Sequence, residues 1–223
     1  MSKEATAAWF SFTEVFEGHH DEFDRWHALD HMPEQFGIEG VVGAQRWTAD
    51  RGLEVAGTDE DLAATHHAHM YLLAHPARGA LEEMTVLGRQ LAEAGRWFDA
   101  RRGLLHAPFH VTGKWVSPDV PVRAIVLPYR PDRGAHIVVL DSEHSPTIAA
   151  ALARVPGVAG CWSFESMAGT ELPPGFPAAP AGTGIVVAWL DEDPSHIAEQ
   201  LNHTVTTPVR YARTLRPAHA YQG

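Results

Sequence analysis

The chain has one cysteine, Cys161, in 223 residues, so no internal disulfide can form and burial must hold the fold together. A chain of this length can bury about 70% of its unfolded surface and needs no covalent staple. The single thiol permits a reducing compartment without demanding one. No stretch approaches the ~20 apolar residues of a membrane span, and the opening MSKEATAAWF has no long apolar core of the secretory kind. The expectation is a soluble, cytoplasmic protein with no membrane partner. Basic residues are scarce, 17 Lys and Arg against 28 Asp and Glu, for a formal charge of −11. Such a surface repels phosphate backbones, and no basic patch with interleaved aromatics offsets it, so nucleic acid is set aside. No glycine-rich strand-to-helix turn suggests a nucleotide, since Gly18 and Gly103 stand alone, and no Ser/His/Asp elbow accompanies Ser11 or Thr13.

Histidine is abundant, at 15 copies, and tryptophan is frequent, at seven. Residues 7–16 read as a strand of aromatic and β-branched residues. Residues 20–35 read as a helix, with Phe23, Trp26, His27, Asp30 and Glu34 on one side and Pro33 ending its regular part near His31 or Met32. A strand over 41–48 follows Gly40, residues 50–64 read as a polar loop, and residues 66–75 alternate as a strand stopped by Pro76. A helix over 77–98 and a strand over 104–116 complete the order β-α-β-β-α-β, the ferredoxin-like arrangement. After a linker at 117–122 the scheme repeats. Its first strand lies in 123–130, in 135–141 or in both. A helix follows at 146–155, then strands at 158–166 and 184–191, a helix at 194–207 and a last strand near 213–221, with a Pro/Gly-rich loop at 170–182.

The repetition extends to residues. Ile38-Glu39-Gly40-Val41-Val42-Gly43 parallels Val155-Pro156-Gly157-Val158-Ala159-Gly160, and Met70-Tyr71-Leu72 with Pro76 parallels Ala188-Trp189-Leu190 with Pro194, at offsets of 117 and 118. The expectation is an α+β chain of two units, 1–117 and 118–223. One such unit leaves a sheet face uncovered; a second copy closes a barrel-like interior within one chain.

The segment from Phe23 through Trp26, His27, Asp30 and His31 to Met32-Pro33-Glu34, followed by Ile38-Glu39-Gly40-Val41, resembles the first-helix signature of the EthD-like and related dimeric α/β-barrel families. The resemblance covers the first ~115 residues; the second half shares only the architecture, with Ile148 at the place of His31. It implies two ferredoxin-like repeats in tandem forming a dimeric-α/β-barrel-type domain. It also implies a superfamily whose members bind small, flat or hydrophobic molecules and include cyclases, isomerases, cofactor-free monooxygenases and heme enzymes. Fold does not decide among these.

Asp30 and His31 are the sharpest chemical feature: a carboxylate near an imidazole can set its tautomer and raise its basicity. The bland alternative is that Asp30, His31 and Glu34 cap the helix end. His67, His69 and Tyr71 alternate with Ala68, Met70 and Leu72. The expectation puts the apolar set against the helices and the polar set inside the barrel, where Tyr71 could stabilise an enolate and His69 shuttle a proton. His110 could join that interior, with Phe109 and Val111 turned to the helices. Trp26, His27, Glu34, Trp47, His67 and His110 are read as binding residues, beside the catalytic candidates His31, Asp30, His69 and Tyr71. The reading is an isomerase, cyclase or dehydratase that uses no cofactor and acts on a small hydrophobic, aromatic or polyketide-like molecule, with association as a homodimer left open. The rivals are a heme or metal held by histidine, for which His67-x-His69 offers two ligands without a dedicated zinc spacing, and a non-catalytic binding protein.

Overall fold

The computed structural model describes residues 4–167 and 177–218. Part of the loop read at 170–182 and the end of the last strand read at 213–221 lie outside these residues. The first half runs β1 (Ala5–Val15), α1 (His20–Trp26), a π-helical turn (His27–His31), α2 (Met32–Gln35), β2 (Val41–Ala49), β3 (Val55–Ala56), α3 (Glu60–Ala63), β4 (His67–Ala74), α4 (Ala77–Glu93) and β5 (Arg101–Val116). After a 3-10 segment (Ala124–Tyr129), the second half runs β6 (Gly134–Asp141), α5 (Ser145–Leu152), β7 (Val158–Ser166), β8 (Thr183–Leu190), α6 (Pro194–Thr204) and β9 (Tyr211–Pro217).

The first half pairs its strands in the order β5-β1-β4-β2 and the second in the order β9-β6-β8-β7. In each half this is fourth, first, third, second, all antiparallel. Pairing of β5 with β7 and of β2 with β9 joins the two halves at both edges, so eight strands close into an antiparallel barrel. The short β3 adds to β9 outside the ring. The ambiguity over 123–141 resolves to β6: Pro128 falls inside the preceding segment, which forms a 3-10 turn and buries Leu127. The loop read at 50–64 holds the two brief elements β3 and α3, the latter capped by the Asp59 carboxylate accepting from Leu62 N–H at 3.1 Å.

The barrel is filled, not hollow. Phe10, Phe12, Trp47, Met70, Phe109, Trp162, Phe164, Trp189 and Tyr211 meet inside it with Ile137, Val139, Ile185 and Val187. Burying each such side chain contributes about 1.5–3 kcal/mol. This reverses one expectation. Ala68, Met70 and Leu72 face the interior, and His67, His69 and Tyr71 face outward against the helices. Phe109 and Val111 likewise point inward. An eight-stranded ring is only wide enough for packed side chains, so it takes the bulky apolar set and excludes the polar one. Outside the second half, α5 and α6 cover the sheet with aliphatic contacts: Val138, Leu140, Val186 and Leu190 against Ile148, Leu152, Ile197 and Leu201. Outside the first half, the sheet surface carries imidazoles and a phenol.

Candidate functional site

The outer face of β1, β4 and β5 is roofed by the segment from α1 to α2 and by α4. The helical path runs from His20 to Gln35 as read, but its regular part ends earlier, after Trp26, in the π turn. Pro33 has no N–H for a bond back along the helix; just ahead of it, Met32 N–H donates to His27 O, five residues back. Bonding over five residues brings residues five apart to one side. Trp26 and His31 accordingly stack, with ring centroids 4.7 Å apart and planes 21° apart. His27, also on the turn, lies flat on His69 of β4 at 3.9 Å and 15°. Its Nε2 shares a hydrogen bond with the Tyr71 hydroxyl at 3.3 Å.

These groups line a cavity of about 70 Å³ that opens to solvent. Its walls are Trp9, Phe23, Trp26, Trp97 and Met84, and its polar groups are Ser11, Thr13, His27, His31, Gln35, His69, Tyr71, Arg101 and His106. An apolar cleft with a few convergent polar groups is the usual form of a small-molecule site. Gly88 and Thr85 give the α4 side its room. His106 bonds the Ser11 hydroxyl through Nδ1 at 3.0 Å. Buried nitrogens with no hydrogen-bond partner include His27 Nδ1, His31 Nδ1 and His69 Nε2. Buried polar atoms are ordinarily satisfied, so three such atoms around one cleft mark a place where a ligand could supply what is missing.

Burial keeps the imidazoles neutral. It lowers His31 to about 4, with the Arg101 charge adding to the effect and Asp30 opposing it. It lowers His106 to about 3, again helped by Arg101, and pushes His27 and His69 well below the usual histidine value. Burial raises the Tyr71 phenol. The cluster is therefore uncharged near neutral pH, able to accept and donate hydrogen bonds.

Five of the ten residues read from the sequence line this cavity: Trp26, His27, His31, His69 and Tyr71. Five do not. Asp30 makes no hydrogen bond to His31; its carboxylate, 33% exposed, accepts two bonds from Arg96, at 2.7 and 3.2 Å. Glu34 accepts from the same guanidinium at 2.6 Å. Both fasten the end of the helical segment to the chain after α4 through the Arg96 side chain; contrary to the capping alternative, neither caps the helix nor bonds loop backbone. His67 lies one step along, over Phe23 and 3.7 Å from Asp24, whose carboxylate pairs with Arg46 at 2.6 Å. Trp47 is in the barrel core, and His110 is exposed beyond the cavity. Two alternating positions from His110, His106 takes the place assigned to it. Sequence reasoning passed over Arg101, His106, Trp97 and Gln35. The β5 alternation of His106 with Leu105 and Ala107 could have exposed one of them; Arg101 and Trp97 sit at an element boundary where no periodicity speaks.

Among the described residues no group of three or more His, Cys, Asp or Glu side chains is arranged to hold a metal ion. His27, His67 and His69 stack in parallel, with 12° between His67 and His69, and parallel rings do not converge their nitrogens on one point.

No protein-family model matches the sequence, and no curated protein sequence is similar to it at a significant level. Solved structures share the fold. An anthrone oxidase-like protein aligns over 98% of this chain and 93% of its own, with a TM-score of 0.50 and 14% identity. A chlorite dismutase-like protein aligns over 96% of this chain and 95% of its own, with a TM-score of 0.51 and 9% identity. Both have the dimeric α/β-barrel fold. Among the described residues, no helix is long and apolar enough to cross a membrane.

Proposed function

We propose that the chain is an enzyme that transfers protons on a planar, apolar, enolisable small molecule, aromatic or polyketide-like, bound between the first-half sheet and its helices. The observation that carries this reading is the set of neutral imidazoles with unpartnered nitrogens inside an aromatic-walled cleft. His31 is the acid/base group: it lines the cleft, is held by Trp26 and the edge of Trp97, and stays unprotonated down to about pH 4. It removes a proton from the carbon acid, and the electron pair moves into the substrate's oxygen as an enolate. The Tyr71 hydroxyl, in contact with His27, is placed to donate to such an oxygen, with His69 behind it. Return of the proton at a second carbon completes an isomerisation; loss of hydroxide from the adjacent carbon, protonated to water, completes a dehydration. Asp30 acts on His31 only through its charge. The second half closes the barrel.

The test is hydrogen exchange. Anthrone, a planar carbon acid of the kind named by one protein sharing this fold, is incubated with the enzyme in D₂O and its deuterium content followed by mass spectrometry. Wild type is expected to accelerate wash-in. His31→Gln is expected to lose about 10²–10⁴-fold of that acceleration, the usual worth of a positioned acid/base group. Unchanged wash-in by His31→Gln sinks the reading.

A further inference from the structure

The proton-transfer reading leaves one charge in the cleft unused. Arg46, Arg96, Arg102, Arg210 and Arg216 each meet a carboxylate at 2.6–3.2 Å. Arg101 has no such partner among the described residues. Its Nε donates to Phe98 O at 3.2 Å, and its guanidinium lies 4.8 Å from the Trp97 ring centre and 5.5 Å from that of Trp26. Among the described residues it is the one cationic side chain in the lining; His27, His31, His106 and Tyr71, which feel its charge there, are neutral, and the carboxylate that acts on it, Asp99, stands in the wall of the neighbouring pocket without a salt bridge to it. Burial lowers Arg101 to about 10, which still leaves it charged at neutral pH. A largely buried guanidinium with no carboxylate bonded to it is costly. Arg101 also sits at a junction. With Trp97 and His106 it lines both the main cleft and a second, open pocket of about 180 Å³ that continues past Asp99 to Gly103 and Pro177.

We propose that Arg101 is an anion anchor and that the ligand of this cleft is a planar aromatic carboxylate, its rings against the tryptophans and its acid group at the junction of the two cavities. This rests on the small-molecule reading above and adds one anionic group to its otherwise apolar, planar molecule. With Nε spent on Phe98 O, the two Nη groups remain as a fork that matches the two oxygens of a carboxylate. A phosphate dianion would bring a second negative charge beside Asp99, and an uncharged ring would leave the two Nη groups without an acceptor.

Two probes of equal shape decide it: naphthalene-2-carboxylate and naphthalene-2-carboxamide, titrated calorimetrically into the full chain at pH 7.5. Wild type is expected to bind the carboxylate about tenfold or more tightly than the amide, the usual worth of a charge-assisted bond to a buried partner. Arg101→Gln should abolish that ratio while amide affinity stays put, and Arg101→Lys should restore part of it. Equal binding of the two probes by wild type, no saturable binding of the carboxylate, or an Arg101→Gln protein with the ratio intact each overturns the anchor. The wild-type comparison stands even if a variant fails to fold. Because binding is read without turnover, His31→Gln should keep the ratio while losing deuterium wash-in. Loss of the ratio in wild type beside intact wash-in would refute the anchor alone, and an intact ratio beside wash-in indifferent to His31 would refute the proton-transfer reading alone.

Discussion

Lowering the pH from 7.5 to 5.0 should destabilise this fold through its buried histidines. His67, His106 and His136 are almost wholly buried, and burial lowers each to about 3. In the unfolded chain they return to about 6.5. A histidine whose folded pKa is depressed contributes stability above its unfolded pKa and loses it as the pH falls below that value, because the unfolded chain binds the proton and the folded one does not. At pH 5.0 each has lost about 2 kcal/mol, and the three together about 6 kcal/mol. The loss is set by the unfolded pKa and the working pH, so it holds wherever the folded value stays below about 4. His27 and His69 add in the same direction.

One group opposes them. Burial raises Asp132 to about 6, so the folded chain takes up a proton there that the unfolded chain does not, which offsets about 1 kcal/mol. The lowered carboxylates Asp50 and Asp59 lose their contribution only below about pH 4. The net loss of about 5 kcal/mol rivals the total stability of an ordinary domain, about 5–15 kcal/mol. Urea unfolding followed by far-UV circular dichroism at pH 7.5, 6.5, 5.5 and 5.0 reads it directly. The midpoint should fall steeply below pH 6.5 with an unchanged m value, at a slope of about 3 kcal/mol per pH unit, the uptake of at least two protons. His136 lies outside the cleft, bonded to Thr214 Oγ1 at 2.9 Å, so His136→Asn should remove one proton from that uptake and leave ligand binding alone. A stability that agrees within about 1 kcal/mol at pH 7.5 and 5.0 would refute the reasoning.

Two further outcomes separate the residues that the structure parts from the cleft. Asp30→Asn should slow deuterium wash-in less than about tenfold, because Asp30 reaches His31 through charge alone and one pKa unit is a factor of ten; a loss as deep as that of His31→Gln, measured in the same assay, would restore the pair as a catalytic unit. Trp47→Ala should cost about 3–5 kcal/mol by urea unfolding, as for other large side chains cut from a packed core, with probe affinity unchanged in the folded fraction.

Much of the architecture could be read from the sequence because its signals are local. Proline and glycine bracket the strands, and helical stripes separate them. The paired motifs at 38–43 and 155–160 lead into corresponding strands, β2 and β7. The 123–141 ambiguity was settled by contacts that no local signal holds: β6 pairs β8 and β9 along its whole length, whereas 124–129 packs Leu127 against the barrel core and takes no place in the ring. The roles within the Asp30-His31 motif divided for a similar reason. Their partners, Arg96 on one side and the stacked Trp26 on the other, depend on the π turn and on where α4 stops, neither of which adjacency reveals.

The direction of the β4 face was the deeper difficulty. Alternation says that His67, His69 and Tyr71 share a side, but not which side of the sheet that is. A sheet that stays open has one covered face, and the apolar set belongs there, against helices. A closed sheet reverses the preference, since the lumen is the place with the least access to water and the greatest need for bulk. The clue was collective: Phe10 with Phe12, Ile137 with Val139, and Ile185 with Val187 repeat the apolar alternation on strands of both halves. The second-half strands also carry apolar residues on their other side for α5 and α6, as Val138, Leu140 and Val186 show. In the first half the same outer positions hold Ser11, Thr13, His69, Tyr71 and His106. A sheet face covered by helices yet furnished with imidazoles is a departure from what stability alone would select, and it moves the proposed site from the lumen to the cleft under the π turn.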